Sequence, residues 1–356
     1  MCVPLILVGM FGLLLTAPAA WPAPKAPQPL ERASVFVSPR GSDSNRCTRS
    51  RPCRSFNRAY HVARPGDTIN VAGGYYPSQT LTRKAGAKPP HVYIRETPGA
   101  RVVIGNPGDV DNCLAFEGAQ YVTVRGVATR YASVGGQRHQ CGVSIGRGNA
   151  HHVTLVGVNA GMIWFGADNV RVFGGDFGPG IDENTKIEFG TGHPPRNILI
   201  QGARIHDARM HQEHQECIAL WGGSGIVIRN SHIYNCAVFH LWIVAEPGQT
   251  IRNVRIENNL FTQPGPNRPG IGSTIKVGDH GGRLANIVLR WNRVVVDEMF
   301  VVQGYDDGGT GDIHILGNRV TKRISLGSGQ NCMRPGTYRP KPGVVYQCAG
   351  NRLIRR

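Results

Sequence analysis

Short runs of alternating apolar and polar residues recur along the chain and define its architecture. Three of them lie in the stretch 216–245, at residues 218–221, 225–229 and 241–244, and are joined by Gly, Ser and Asn. Alternation over four or five residues predicts β-strands, and the third run repeats the first. This stretch therefore predicts one full turn of a coil, and recurrence of the pattern predicts a solenoid.

The repeat can be followed through the first buried residue of the second strand in each coil. These anchor residues are Val122, Val153, Val170, Ile198, Ile226, Val254, Ile287 and Ile313. Successive intervals are 31, 17, 28, 28, 28, 33 and 26 residues, so three equal intervals stand in a row. A doubly wound α/β fold would need crossover helices, whereas these gaps contain only turn residues. An antiparallel sandwich predicts no such recurrence.

The segment before the repeats has its own order of elements. We predict a strand at 35–37, a loop bracketed by Cys residues, a short amphipathic helix at 56–63 and a strand at 68–71, with G-S-D-S before the helix and P-G-D-T-I after it. This order resembles the N-terminal cap of secreted right-handed parallel β-helix proteins of the pectin-lyase-like superfamily. A helix across the open end of a coil prevents its exposed strand edge from pairing with another chain.

We therefore expect an all-β chain, folded as a single-stranded right-handed parallel β-helix of about eight to ten coils, with a short N-terminal capping helix and a disulfide-tied C-terminal cover. The expected boundaries are 1–20 for a signal peptide, 21–33 for a Pro/Ala linker, 34–90 for the cap and first coil, 91–327 for the β-helix and 328–356 for the C-terminal cap.

The first twenty residues and the cysteines both indicate export. The apolar leader ends in small residues with A-x-A at 17–19, so we expect cleavage near Ala19 or Ala20 and a secreted protein. Alternatively the leader stays as an anchor, because the apolar run is nearly long enough to span a membrane and no Lys or Arg precedes it as in a typical signal peptide. Beyond Cys2, spacing predicts that neighbouring cysteines pair, against the alternative of reduced thiols in a cytosolic protein. The predicted pairs are Cys47 with Cys53, Cys113 with Cys141, Cys217 with Cys236, and Cys332 with Cys348.

The net charge of +17, from 40 Lys+Arg against 23 Asp+Glu, indicates a polyanionic partner. Acidic polysaccharide, cell-wall polymer and nucleic acid are the candidates, and compositional bias toward Arg is the alternative. The basic residues are dispersed, no nucleic-acid motif is present, and export disfavours nucleic acid. We expect an acidic polysaccharide partner, no membrane contact beyond the leader, and a monomer.

The first strands of the coils predict a column of outward-facing residues. It reads Ala115, Ser144, Trp164, Glu188, Ala219, Trp242 and Lys276, with Lys186, Trp221 and His240 at flanking positions. Aromatic faces pack against sugar C–H groups, while charged groups bind hydroxyls and carboxylates. Proteins of the superfamily that this chain resembles bind polysaccharide on this face. The alternative is that turn loops cover the Trp residues and form a lateral core.

Loop 206–216, HDARMHQEHQE, contains the densest group of titratable residues and is expected to lie over this groove. A zinc site is one interpretation, but H-Q-E-H lacks the H-E-x-x-H spacing. A solvated turn without function is another. The third is a loop that binds the substrate carboxylate or takes part in catalysis.

The resemblance implies two reactions. A lyase would abstract the proton beside a uronate carboxylate, with Lys276 or His240 as base and Arg209 or His211 neutralising the carboxylate; Ca²⁺ is possible in such enzymes, but no motif here requires it. An inverting hydrolase would pair Glu188 with Asp207, Glu213 or Glu216. Glu188 and Lys276 lie three rungs apart, about 14 Å, so they cannot act on one bond.

We expect a polysaccharide lyase acting on an acidic glycan, with an inverting glycoside hydrolase or a non-catalytic polysaccharide-binding protein as alternatives. The predicted catalytic residues are Lys276, His240, Arg209, His211, His214 and Glu188. The predicted substrate-binding residues are Trp164, Trp221, Trp242, Lys186 and Glu216.

Overall fold

The chain folds into stacked parallel strands that form three long sheets. The computed structural model describes residues 33–109, 111–134, 136–147, 149–180, 185–187, 194–208, 216–263, 273–278, 280–296, 299–302, 310–326, 330–339 and 342–355. Within these ranges the chain passes from sheet 1 to sheet 2 to sheet 3 in each coil, and each strand pairs with its counterpart in the next coil.

The described strands fall into these three sheets and one hairpin. Sheet 1 contains Gln79–Thr82, Asn112–Glu117, Gly142–Arg147, Ile163–Phe165, Thr185–Ile187, Ile218–Leu220, Leu241–Val244, Ser273–Gly278, Met299–Val302 and Ile324–Ser325. Sheet 2 contains Ala33–Val37, Thr68–Val71, Val92–Glu96, Gln120–Arg125, His151–Val156, Arg171–Phe173, Arg196–Gln201, Ser224–Arg229, Thr250–Glu257, Arg283–Arg290, Thr310–Leu316, Val344–Ala349 and Gly336–Tyr338. Sheet 3 contains Gly74–Tyr76, Val102–Ile104, Val127–Thr129, Asn159–Ala160, Asp176–Phe177, Arg204–His206, His232–Tyr234, Leu260–Thr262, Arg293–Val295, Arg319–Val320 and Arg352–Leu353. Tyr131–Val134 and Gln137–Gln140 form an antiparallel hairpin.

The anchor residues of the repeat stack directly on one another in sheet 2. Ile198 pairs with Ile226, which pairs with Val254, and the series continues through Ile287 to Ile313. All five side chains are buried in the lumen of the coil. The prediction of a parallel β-helix is confirmed, including the register of its second strands.

Asparagines line the turn between sheets 2 and 3. The buried Asn292 donates from Nδ2 to Oδ1 of Asn318 at 3.0 Å and to the backbone oxygen of Ile256 at 2.8 Å. Its own Oδ1 accepts from Nδ2 of Asn259 at 3.2 Å. Asn318 continues the ladder by donating to Asn351 at 3.1 Å. Each side chain thus satisfies buried backbone groups that the turn leaves without a strand partner.

The two ends of the coil are covered as expected. The helix Phe56–Val62 begins at Ser55, whose side chain accepts from the backbone N–H of Arg58 at 3.1 Å. Its residues Phe56 and Tyr60 are buried against the first coil. At the other end, the strand Gly336–Tyr338 runs antiparallel to the last strand of sheet 2.

All four predicted disulfides are confirmed. Cys47 is bonded to Cys53, Cys113 to Cys141, Cys217 to Cys236, and Cys332 to Cys348. In the part of the chain that the structure describes, no helix is long and apolar enough to cross a membrane.

Candidate functional site

The outer column of sheet 1 is continuous through the coils, with one change from the predicted set. Trp164 pairs with Lys186, Lys186 with Ala219, Ala219 with Trp242, and Trp242 with Lys276. The prediction that Glu188 occupies the rung after Trp164 is therefore wrong. Lys186 stands there, next to the buried Thr185, which takes an inward position of that strand.

Trp242 is covered, whereas the sequence predicted that it faces a groove. Only 5% of its surface is exposed, and it packs with Val238, Phe239 and Val244 in an apolar cluster separate from the lumen. Trp221 packs against this cluster with its ring centroid 4.8 Å from that of Trp242. The alternative of a lateral core is the correct one for Trp242. We call these five residues the aromatic cluster.

Lys276 lies on the aromatic cluster and is half-buried. Its Nζ atom is 5.2 Å from the ring centroids of both Phe239 and Trp242. Aromatic faces attract an ammonium group electrostatically, so the two rings hold this charge at one place on sheet 1. His280 borders the same cluster, with its ring 5.8 Å from that of Trp242 and its Nδ1 3.2 Å from Oε1 of Glu246.

His240 does not face a groove either. It is 2% exposed, and its Nε2–H donates to the backbone oxygen of Thr262 at 2.9 Å. Burial lowers the pKa of His240 to about 4, so the imidazole is neutral near pH 7. The geometry of His240 suits a tie between sheets 1 and 3 rather than the solvent-facing base that the sequence predicted.

The remaining predicted residues divide into three groups. Glu216 is completely buried beside Cys217, which contradicts its expected position at the substrate surface. Trp164 stays half-exposed on the column, and a methyl group at Gly146 would come within 2.9 Å of its Cζ3, so the ring lies over the preceding rung. Five of the predicted residues lie outside the described part of the chain, namely Arg209, His211, His214, Glu213 and Glu188. Lys186 is described only by its backbone register.

His206 and Asp207 belong to a different face from the one predicted. His206 ends a strand of sheet 3, where its Nε2 is 2.7 Å from Oδ1 of Asp176 and its Nδ1 is 2.8 Å from Oδ2 of Asp207. Its ring stacks on Tyr234 at 4.7 Å, and Arg204 forms an ion pair with Asp176. Burial by itself would lower the pKa of His206, but the two carboxylates outweigh it and raise the pKa to about 9.

Sequence reasoning missed Phe239 as a neighbour of Lys276 and His280 as a neighbour of Trp242. Both stand in turns, one just before and one just after strands of sheet 1. The available signal was an apolar pair, Val238 and Phe239, in a turn that should otherwise be polar. Within the described ranges, His, Cys, Asp and Glu side chains form no group of three or more that could hold a metal ion.

The sequence from 141 to 320 matches the family model described as right handed beta helix region. The match covers 180 of the 356 residues, just over half of the chain. The chain belongs to this family. The handedness that the sequence predicted is thereby confirmed.

A comparison with solved structures finds several similar chains. An alginate lyase from Paenibacillus sp. str. FPU-7 superposes with a TM-score of 0.56 at 17% identity, covering 82% of this chain and 98% of that one. The GH136 lacto-N-biosidase from Eubacterium ramulus gives 0.46 at 13% identity, over 90% and 67% of the two chains. PfbA, a surface adhesin of Streptococcus pneumoniae, gives 0.42 at 13%, over 79% and 92%. A comparison with curated protein sequences finds no significant match.

Proposed function

We propose that this chain is an extracytoplasmic, carbohydrate-active β-helix that cleaves an acidic, uronic-acid glycan by β-elimination. The fold is that of the alginate lyase reported above. Four disulfides and the predicted leader support an oxidising compartment outside the cytoplasm. Because fold alone does not fix activity, the proposal depends on the side chains of sheet 1.

The observation that carries the proposal is the position of Lys276. A half-buried ammonium group fixed over two aromatic rings offers a localised positive charge on the face that the outer column forms. Lys186 occupies the same column three rungs away, and Trp164 follows one rung further. The rungs between Lys276 and Lys186 carry the buried Trp242 and Ala219, so we place the reacting sugar on the surface beside Lys276 rather than along the whole column.

Lys276 has a definite part in this reaction. A base removes the proton beside the carboxylate, the electron pair forms a C=C bond, and the C–O bond to the leaving sugar breaks as its oxygen takes up a proton. Negative charge builds on the carboxylate oxygens between these events, and a fixed cation stabilises it more than water does. We assign this stabilisation to Lys276, with Trp242 and Phe239 as the residues that position it. Arg209, His211 and His214 stay predicted members of the same site.

Turnover can be followed as the absorbance of unsaturated uronate ends with polymannuronate, polyguluronate and polygalacturonate as substrates. Lys276→Met should lower kcat/KM by about 100-fold or more, in line with the loss of one charge-stabilising donor. Lys322→Met is the matched control, since Lys322 is exposed and lies outside the column. Melting curves should show that both variants remain folded.

Two outcomes would contradict the proposal. If the wild type produces no unsaturated ends from any of the three polymers, this chain is not a lyase acting on those uronans. If it does, but Lys276→Met and Lys322→Met have equal rates, Lys276 has no part in the reaction. Binding without turnover would instead favour a non-catalytic polysaccharide-binding protein.

A further inference from the structure

Three arginines stand on successive rungs at the C-terminal end of sheet 3. Arg293 pairs in register with Arg319, and Arg319 pairs in register with Arg352. All three are exposed, while the neighbouring Val294 and Val320 are buried in the lumen. The guanidinium groups therefore project from one face at the rung spacing of about 4.8 Å. We call these three residues the arginine column.

Two other arginines of the coil have acidic partners. Arg204, further along the same line of sheet 3, forms an ion pair with Asp176, and Arg290 binds Glu257 at 2.6 Å. No described carboxylate forms an ion pair with any member of the arginine column. Like charges directly opposite each other in a sheet are destabilising, so a row of three has an energetic cost within the isolated chain.

An exposed aromatic ring borders the arginine column. Trp291 is 47% exposed and lies in the turn just before the strand Arg293–Val295. Its ring extends over the next rung, where a methyl group at Gly317 would come within 2.7 Å of Cδ1. Arg290 lies 4.3 Å from the ring centroid. Cationic groups and a flat apolar ring thus meet at one edge of sheet 3.

We propose that the arginine column and Trp291 form a second, non-catalytic binding track for a linear acidic polysaccharide. Carboxylates recur along one side of an extended polyuronate, and the long Arg side chains of the arginine column can reach them. Arg binds carboxylates through two parallel N–H groups, and an indole ring packs against sugar C–H groups. This track lies on a different sheet from Lys276, so it goes beyond the proposed activity and would anchor the protein on a polymer.

The test compares two triple variants of the full chain that lose the same charge. One replaces Arg293, Arg319 and Arg352 by Gln. The other replaces Arg252, Arg255 and Arg283, exposed residues of sheet 2, by Gln. Affinity is measured in the Lys276→Met background, where turnover is suppressed, by titration calorimetry against polygalacturonate, the same polymer with reduced carboxyl groups, and a single-stranded oligothymidylate.

Loss of the arginine column should weaken polygalacturonate binding by about tenfold, at roughly twofold for each exposed charge contact. The sheet 2 variant should lose distinctly less affinity for polygalacturonate, and the carboxyl-reduced polymer should bind weakly to every variant. With Lys276 intact, turnover of short uronate oligomers should be unchanged by loss of the arginine column. Equal losses in both triple variants would overturn the proposal, as would undiminished binding of the reduced polymer. Tighter binding of the oligothymidylate that depends on the column would overturn it in favour of nucleic acid. The binding readout does not need turnover, so failure of the lyase proposal would leave this test intact.

Discussion

His206 should make the stability of the chain depend on alkaline pH. The imidazole is 12% exposed and is hydrogen bonded to a carboxylate at each ring nitrogen, Asp176 at 2.7 Å and Asp207 at 2.8 Å. Two acceptors can both be satisfied only when both ring nitrogens carry protons. The folded chain therefore stabilises the charged imidazolium over the neutral imidazole, and this is why the pKa of His206 rises to about 9.

The size and sign of the effect follow from this pKa. A change from 6.5 in the unfolded chain to about 9 in the folded one corresponds to about 3 kcal/mol, at 1.36 kcal/mol per unit. Below about pH 6.5 both states are protonated and the contribution is fully present. Between that pH and about 9 the unfolded chain loses its proton first, so the contribution falls, and above about pH 9 it is gone.

The assay is urea denaturation of the wild type and His206→Gln between pH 6 and pH 10. The difference in free energy of unfolding should be largest at pH 6, fall between about pH 6.5 and about pH 9, and be lost above about pH 9. His314→Gln is the control, because among the described carboxylates His314 forms an ion pair with Asp312 alone, at 3.2 Å. NMR of the imidazole carbon gives an independent reading. The reasoning would be refuted if His206 titrates below pH 7, or if the difference in free energy of unfolding between the wild type and His206→Gln stays constant with pH.

Two further predictions concern the turn between sheets 2 and 3 and the covalent tie below the aromatic cluster. Asn292→Ala should lower the free energy of unfolding by about 3 kcal/mol, since it leaves several buried backbone and side-chain groups without partners. Asn159→Ala, at an exposed position of sheet 3, serves as control, and equal melting temperatures of the two variants would contradict this prediction. Replacing Cys217 and Cys236 by Ala should cost about 3 kcal/mol, because the bond closes a loop of 19 residues. Differential scanning calorimetry of the wild type and the double variant measures this loss of stability. Equal melting temperatures under matched conditions would contradict the prediction for the disulfide.

The sequence was sufficient to predict the coil because its signal is repeated many times. The interval of 28 residues between Ile198, Ile226 and Val254 is also their register in sheet 2. Each of these positions is buried, and a slip by one residue would turn the whole strand outward. The disulfides were predictable for a related reason, since cysteines close in sequence fall on the same or adjacent coils.

A slip of the strand register by two residues keeps the same residues facing outward. Such a slip accounts for the wrong rung that was predicted for Glu188. Both Lys186 and Glu188 alternate with apolar neighbours, so the pattern places either of them outside. Only the neighbouring rungs fix which one joins the column, and they pair Lys186 with Trp164 and Ala219. Thr185 could take the inward position because a Thr side chain is small and only weakly polar. Alternation therefore determines the face of a residue, whereas register needs the partner strand.

The fate of Trp242 shows a second limit of alternation. A side chain that points away from the lumen leaves the main core, but a turn can still cover it. Val238 and Phe239 do so here, in the segment between Cys236 and the strand Leu241–Val244. The cover converts Trp242 from a surface for sugars into a support for Lys276, whose ammonium group lies over its ring. The candidate site is consequently narrower than the column of residues from which it was predicted, and its chemistry depends on one fixed charge.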